Sequence, residues 1–323
     1  MSNEVFIGVD LGGTTLKVAL VDRSGQIVVS TQRKTIVGPP GSGLWKDLTD
    51  CIEQMKNQAE HHHLEILAIG MGVPGTFDQK RGCIDQFINI PGWDNFPLAD
   101  KMSEFAHYPV FVDNDVNVMA LAEVRYGSAQ KGKNILCLTL GTGVGGAILL
   151  NKKLYRGSLF AAGEIGHVPL LIEWDASLKP KTISLEALLG NNGFLNWVRE
   201  DMLNHEESIL HEWEKEGREL SAKLIFKAAQ EGDIFAESCW NKYGIYLGIG
   251  LVGLINTLNP DLVIIGGGIS GAGRYILNPL KKYVDNNAMR LARQCVNFMI
   301  ASLGNDAGMI GAATLAMEEL NGK

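Results

Sequence analysis

VDLGGTTLKVALVDRSG, from Val9 to Gly25, and LTLGTGVGGAILLNKK, from Leu138 to Lys153, read almost alike. Gly12 and Gly141 align at a constant offset, as do Leu11 with Leu140 and Leu20 with Leu149. Each stretch is an apolar run, a Gly/Thr turn and a second apolar run, the pattern of a β-hairpin with a glycine tip. Glycine lets the backbone come close to a ligand, and threonine adds a hydroxyl donor. Successive N–H groups at such a tip form a concavity suited to phosphate. One tip alone is equally well an ordinary tight turn, because glycine dominates turns for conformational reasons. The repetition, with Asp10 ahead of the first tip and Thr139 ahead of the second, points instead to two related halves facing one nucleotide. Asp10, Gly12, Gly13, Thr14 and Lys17 belong to the first hairpin; Thr139, Gly141, Thr142 and Gly143 belong to the second.

At 323 residues the chain is long enough for two domains, each with its own core. The net charge is −7, from 29 basic and 36 acidic residues, with no basic cluster of the kind that marks a nucleic-acid footprint. That charge does not oppose ATP binding, because Mg²⁺ and local backbone dipoles set the field at a phosphate site. The start, MSNEVFIGVD, carries no secretory pattern, and the most apolar stretch, Ile245–Leu258, is too short to span a bilayer. Cys51, Cys83, Cys137, Cys239 and Cys295 are scattered, odd in number and without a Cys-x-x-Cys pair, which fits reduced thiols in the cytoplasm.

Strands are expected at Val5–Asp10, Leu16–Asp22, Gln26–Lys34 and Ile66–Val73. Leu44, Leu48, Cys51, Ile52 and Met55 recur at helical spacing between the last two. His61–His63 point in different directions from a helix end and read as solvated rather than metal-binding. Val110–Asp113 forms a short strand leading through Asn114-Asp115 into a helix from about Val116 to Tyr126. Asp201–Glu219 reads as an acidic, solvated helical face. Ser221–Gln230, with Ser221 as N-cap, and Ile234–Leu258 are helical. Asn259-Pro260 stops that helix before a strand at Leu262–Ile265, which runs into Gly266, Gly267 and Gly268. A strand near Phe298–Ala301 and a helix from about Ala307 to Leu320 follow. Alternating strands and helices with a duplicated hairpin define an α/β architecture of antiparallel hairpins on a partly parallel sheet. No Gly-x-Gly-x-x-Gly follows the first strand with an acidic residue about 20 positions on, so a Rossmann dinucleotide site fits poorly.

DLGGTTLK, GVPGTFD, NIPGWDN, VDNDVNVMALAE, LGTGVGGAI, GEIGH and IIGGGIS, in this order, resemble the ROK family of bacterial sugar kinases and sugar-responsive repressors. The resemblance covers nearly the whole chain. It implies the two-domain actin-like/hexokinase-like ATPase fold, a duplicated ribonuclease H-like unit. Residues 1–114, with the C-terminal helix at about 306–323 packing back, would form the small domain, and 115–305 the large one. It implies transfer of the γ-phosphate of MgATP to a sugar hydroxyl, commonly the 6-hydroxyl. Asp115 would be the general base. Phosphoryl transfer needs position, charge neutralisation and a carboxylate that accepts the alcohol proton. On spacing alone, Asp113, Asn114 or Asp115 could merely cap the helix. By the same resemblance Asn114, Gly75, Thr76, Asn89, Glu164, His167 and Glu186 contact the sugar. Asp10 organises Mg²⁺ through water, Thr14 donates to phosphate, and Gly266–Gly268 make room for adenosine. Closure of the domains would exclude water from the reaction.

One departure from the family pattern concerns zinc. In most of the family the GEIGH histidine ligates zinc with three cysteines that precede a Glu. Here the stretch is HVPLLIEWDASLKPKTISLE, and Ser177, Lys179 and Ser184 stand at the cysteine positions between His167 and Glu186. Hydroxyls and an ammonium cannot replace thiolates around Zn²⁺, so no structural zinc is expected. The loop would be held by packing, through Leu170, Leu171, Ile172 and Trp174. The leading function is a cytoplasmic ATP:hexose kinase acting on small molecules, with no nucleic-acid or membrane partner, and a homodimer is the family's common assembly. The alternative is a non-catalytic sugar-binding regulator, which would need a helix-turn-helix ahead of the first hairpin.

Overall fold

The structure, a computed structural model, describes residues 3–78, 80–87, 90–174 and 180–322, and for 171–174 the backbone alone. The chain divides into two compact units. The first is Met1–Lys131 with Leu154–Ala162 and Ser302–Lys323; the second is Gly132–Lys153 with Gly163–Ala301.

In the first unit, β1 (Glu4–Leu11), β2 (Thr15–Asp22) and β3 (Ile27–Lys34) form an antiparallel meander. Then come α1 (Gly43–His61), β4 (Glu65–Val73), the short ladder β5 (Thr76–Asp78) and β6 (Cys83–Gln86), α2 (Leu98–Ala106), β7 (Val110–Asn114) and α3 (Asp115–Arg125). The sheet order is β3-β2-β1-β4-β7, with β1, β4 and β7 parallel. The central strands β1 and β4 are apolar almost throughout because both sheet faces are covered, whereas edge strand β3 alternates half-buried and exposed. α1 buries Leu44, Leu48, Cys51, Ile52 and Met55, the stripe its spacing predicts. Each large aliphatic side chain there contributes roughly 1.5–3 kcal/mol. His62 and His63 are exposed beyond its end. Trp93, fully buried, donates its Nε1–H to Gly38 O at 2.7 Å.

In the second unit, β8 (Ile135–Leu140) and β9 (Val144–Leu150) form the second hairpin, extended by β10 (Lys153–Leu154). β11 (Pro169–Trp174) and β12 (Pro180–Ser184) pair separately. Then come α4 (Leu185–Leu189), α5 (Asn191–Met202), α6 (Ile209–Lys215), α7 (Ala222–Gln230), α8 (Ile234–Leu258), β13 (Leu262–Gly266), α9 (Arg274–Asn287), α10 (Arg290–Cys295) and β14 (Asn297–Ile300). The sheet order is β10-β9-β8-β13-β14, with β8, β13 and β14 parallel. Strand for strand this repeats the first unit, so the duplicated hairpins sit in duplicated sheets. α8 packs Trp240 and Tyr243 around Phe194, with ring centroids 4.9 Å apart in both cases. Tyr243 donates its hydroxyl to Leu189 O at 2.8 Å, and burial pushes its phenol well above the usual range. Ser221 caps α7, accepting from Leu224 N–H, and α8 stops where Asn259 turns left-handed (φ 45°) before Pro260.

One helical expectation is corrected. Asp201–Glu219 is not a single solvated helix: α5 ends at Met202 and α6 begins at Ile209. Asp233 Oδ2 accepts from Ser208 Oγ–H and Ile209 N–H, which seats the start of α6 and lets Leu210 and Trp213 enter the core.

α11 (Ala307–Asn321) returns the chain to the first unit, against β1, β4 and α3. The approach is close because glycines line it. A Cβ on Gly8 would lie 2.0 Å from Met309 O, one on Gly70 1.7 Å from Ala312 O, and one on Gly311 1.8 Å from Val118 O. The same contacts keep α3 in the first unit, so the division falls after Lys131 rather than at the 114/115 position read from the repeat. Among the described residues no helix is long and apolar enough to cross a membrane.

Candidate active site

The first hairpin tip follows from residue types in register. Leu11 pairs with Leu16, leaving Gly12, Gly13, Thr14 and Thr15 between them, with Gly13 and Thr14 exposed. Gly12 N–H donates to Thr15 O at 2.9 Å. Thr35 clamps the tip from the end of β3, its hydroxyl donating to Gly12 O at 2.7 Å and its N–H to Thr14 O at 3.0 Å. Asp10 lies opposite Lys17 on the two strands. Lys17 Nζ is 3.6 Å from Asp10 Oδ2 and donates to Asn305 O at 2.9 Å. A Cβ on Gly308 would come within 2.4 Å of Asp10 Cγ, so the first turn of α11 closes over the carboxyl. Burial raises the Asp10 pKa above its ordinary value, and the Lys17 charge opposes the shift.

Across the parallel strands Asp10 pairs with Gly72, and Gly72 with Asp113. The ends of β1, β4 and β7 therefore form one row, with its outer members two strand spacings, about 10 Å, apart. β4 leads into Gly75 (φ 91°), whose carbonyl accepts from Asn114 Nδ2 at 2.9 Å. Asn114 is the N-cap of α3. Its Oδ1 accepts from Val116 N–H at 2.8 Å and Asn117 N–H at 3.4 Å. The capping role thus falls to Asn114, and Asp115 is the first helical residue, its Oδ1 accepting from Val116 N–H at 2.9 Å. Thr76 donates its hydroxyl to Asp85 Oδ2 at 2.9 Å. Asn89 lies outside the described residues. Thus the first unit brings together the first tip, Asp10, Lys17, Gly75, Asn114 and Asp115 at the carboxyl ends of its parallel strands, where open α/β sheets bind ligands.

The second unit gathers the second tip, the triple glycine and the GEIGH turn. Leu140 pairs with Val144, leaving Gly141, Thr142 and Gly143 as the tip, with Thr142 exposed. Thr139 lies between Gly145 and Gly266 across the sheet. Gly267 is left-handed (φ 84°), and a Cβ there would stand 2.3 Å from Leu140 O, so the triple glycine lies directly against the end of β8. A Cβ on Gly268 would meet nothing within 4 Å. Glu186 Oε2 accepts from Val144 N–H at 2.9 Å, and Asn191 N–H donates to Gly141 O at 2.9 Å, tying the tip to α4 and α5. Gly166 lets GEIGH pack on the same tip: its Cβ would lie 2.0 Å from Val144 O and 3.3 Å from Glu186 Cβ. Glu164 and His167 are exposed, with Oε2 and Nε2 3.9 Å apart.

Of the three positions at which the family places cysteines, Ser177 and Lys179 lie outside the described residues, and Ser184 caps α4 by accepting from Ala187 N–H at 3.2 Å. Leu170 packs against the core of the second unit; the side chains of Leu171, Ile172 and Trp174 lie outside what the structure describes. The sequence reading did not single out Thr35, Asp85 or Asn305. Thr35 and Asn305 bond to residues distant along the chain, and Asp85 bonds across the β5–β6 ladder, which carries no motif.

Two copies of one five-stranded topology, each carrying a glycine-tipped hairpin, define the class: the two-domain actin-like/hexokinase-like ATPase fold. The ROK family model matches residues 6–319, and the chain belongs to the ROK family. A glucokinase of Halalkalibacterium halodurans is 38% identical over 99% of this chain and 97% of its own length. A crystal structure of a ROK family glucokinase from Streptomyces griseus, in complex with glucose and AMPPNP, superposes with a TM-score of 0.79. It is 28% identical, over 97% of this chain and 99% of that one. A xylose repressor of Bacillus subtilis is 28% identical over 97% of this chain and 77% of its own length.

Proposed function

We propose that this protein is a MgATP-dependent hexose kinase that phosphorylates the 6-hydroxyl of glucose or a closely related sugar. The observation that carries the reading is the β7–α3 junction. Asn114 caps the helix and is bonded to Gly75, which leaves the next residue, Asp115, on the first turn beside the row of strand ends. The glucokinase relatives and the complex of glucose and AMPPNP in the Streptomyces griseus enzyme support the same class.

In this proposal the sugar O6 attacks the γ-phosphorus of MgATP. The new O–P bond forms as the bond to the β,γ-bridging oxygen breaks, ADP leaves, and the hydroxyl proton passes to Asp115. Asn114, Gly75, Thr76, Asn89, Glu164, His167 and Glu186 hold sugar hydroxyls. The N–H groups of the exposed tip residues Gly13, Thr14 and Thr142, with Lys17, would receive the phosphates, and Gly266–Gly268 would leave room for adenosine. Mg²⁺ arrives with ATP, and Asp10 would hold its water shell. Use of ATP and free sugar fits a cytoplasmic enzyme.

A coupled ADP-release assay across hexoses and amino sugars tests the reading. Sugar-dependent turnover, highest with glucose, is expected. Failure with every sugar, together with sugar binding, would favour the regulator that the repressor relatives represent.

A further inference from the structure

The carboxylate next to Asn114 is almost fully buried: Asp113 is 4% exposed. Its Oδ1 accepts from Asn114 N–H and from Asn117 Nδ2, both at 2.7 Å. Its Oδ2 accepts from Arg156 Nε at 2.7 Å, and Arg156 Nη2 lies 3.7 Å from Glu319 Oε1. One carboxylate thus fixes the backbone just before Asp115, a side chain in the first turn of α3, and an arginine 43 residues away.

The segment that supplies Arg156 is unusual. Leu154–Ala162 belongs to the first unit, although the chain on both sides belongs to the second. Leu154 packs with Val118, Leu121 and Leu315. Ala162 N–H closes the loop on Arg156 O at 3.0 Å, and Gly157 and Phe160 take left-handed backbone (φ 72° and 60°). Two residues further on the chain reaches Glu164.

We propose that Arg156 is a positioning residue for the base, acting through Asp113 on Asn114 and Asp115. The assignment rests on the kinase reading of Asp115. A buried carboxylate deprived of its guanidinium partner is strongly disfavoured and moves toward water. Asp113 cannot move without drawing the Asn114 N–H and the Asn117 amide with it. A shift of about 1 Å at a catalytic group can lower turnover about 100-fold.

The test compares Arg156→Lys, Arg156→Gln, Arg156→Met, Asp113→Asn and the Asp113→Asn/Arg156→Met double variant as full-length proteins. Readouts are kcat, KM for sugar and for ATP, and thermal midpoint. Arg156→Met is expected to lower kcat about 10- to 100-fold with KM for ATP within about two-fold. Arg156→Lys restores most of the loss, because a single donor serves Asp113, and Arg156→Gln falls between. The double variant is expected to be no slower than Asp113→Asn alone, since both changes break one linkage. A kcat within about two-fold of the parent for Arg156→Met, with a lower thermal midpoint, would make Arg156 a loop anchor and overturn the proposal. Fully additive losses in the double variant overturn it as well. If Arg156→Met does not fold, a parental kcat in Arg156→Gln is enough to overturn it. A parent inactive with every sugar brings down the kinase reading and this assignment together; an active parent with an indifferent Arg156 brings down this assignment alone.

Discussion

Asp10 shows how a buried carboxyl can oppose folding. Its folded pKa lies above the ordinary 3.8, because burial disfavours the anion more than Lys17 favours it. Such a carboxyl favours folding only while protonated. Its contribution is complete below 3.8 and is lost as pH rises through the raised value. At neutral pH the ionised group therefore works against the fold, modestly, since 21% of its side chain still meets solvent. Asp10→Asn is expected to melt above the parent at about pH 7.5, to lose that advantage toward about pH 4, and to turn over MgATP poorly. An advantage of the same size at both pH values contradicts this account. Asp115→Asn should leave the melting curve near the parental one and cut sugar-dependent turnover roughly 10²- to 10⁴-fold. Unchanged turnover removes Asp115 from the base role. At this scale the sequence identified the residues with motifs around them and missed their supports. Thr35 and Arg156 bond to partners 23 and 43 residues away, and Asp85 reaches Thr76 across a two-stranded ladder; such pairs leave no local periodicity. The resemblance singles out Glu186 for the sugar, but its bond to Val144 N–H has no local sequence signal.

Elements were more legible than contacts. The meander, α1, α7, α8 and the strand before the triple glycine follow from alternation, helical spacing, a serine cap and an Asn-Pro stop, all local signals. The acidic stretch after α5 was misread because its break depends on Asp233, more than twenty residues later. α11 shows why glycine needs context. Gly70 and Gly253 look alike in sequence. A methyl on Gly70 would strike the α11 backbone, whereas one on Gly253, exposed on α8, meets nothing within 4 Å. Gly70→Ala is expected to destabilise the protein by about 3 kcal/mol or more, or to prevent folding, since backbone cannot repack as a side chain does. Gly253→Ala is expected to stabilise it by about 0.5–1 kcal/mol through helix propensity. Denaturant midpoints measured side by side decide both, and equal effects would mean that α11 does not seat as described.

For the whole molecule, the repeated hairpin revealed a duplication that the two sheets reproduce strand for strand. It did not reveal where the units divide, because α3 is retained by packing that no repeat encodes. The zinc expectation also belongs to this scale. Ser177, Lys179 and Ser184 offer no thiolate, and Ser184 is engaged as a helix cap. Elemental analysis of purified protein is expected to find no stoichiometric zinc, and a chelator should leave the thermal midpoint unmoved. One equivalent of zinc that resists dialysis would contradict this.

α11 emerges from the ribosome only after every residue of the second unit. Until then the sheet face formed by Phe6, Ala19 and Ala68 lacks the cover that Met309, Ala313 and Ala316 provide. The usual order of synthesis, amino-terminal domain first, is therefore reversed in completion. The later-translated unit can close while the earlier one still waits, greasy side open, for its final helix.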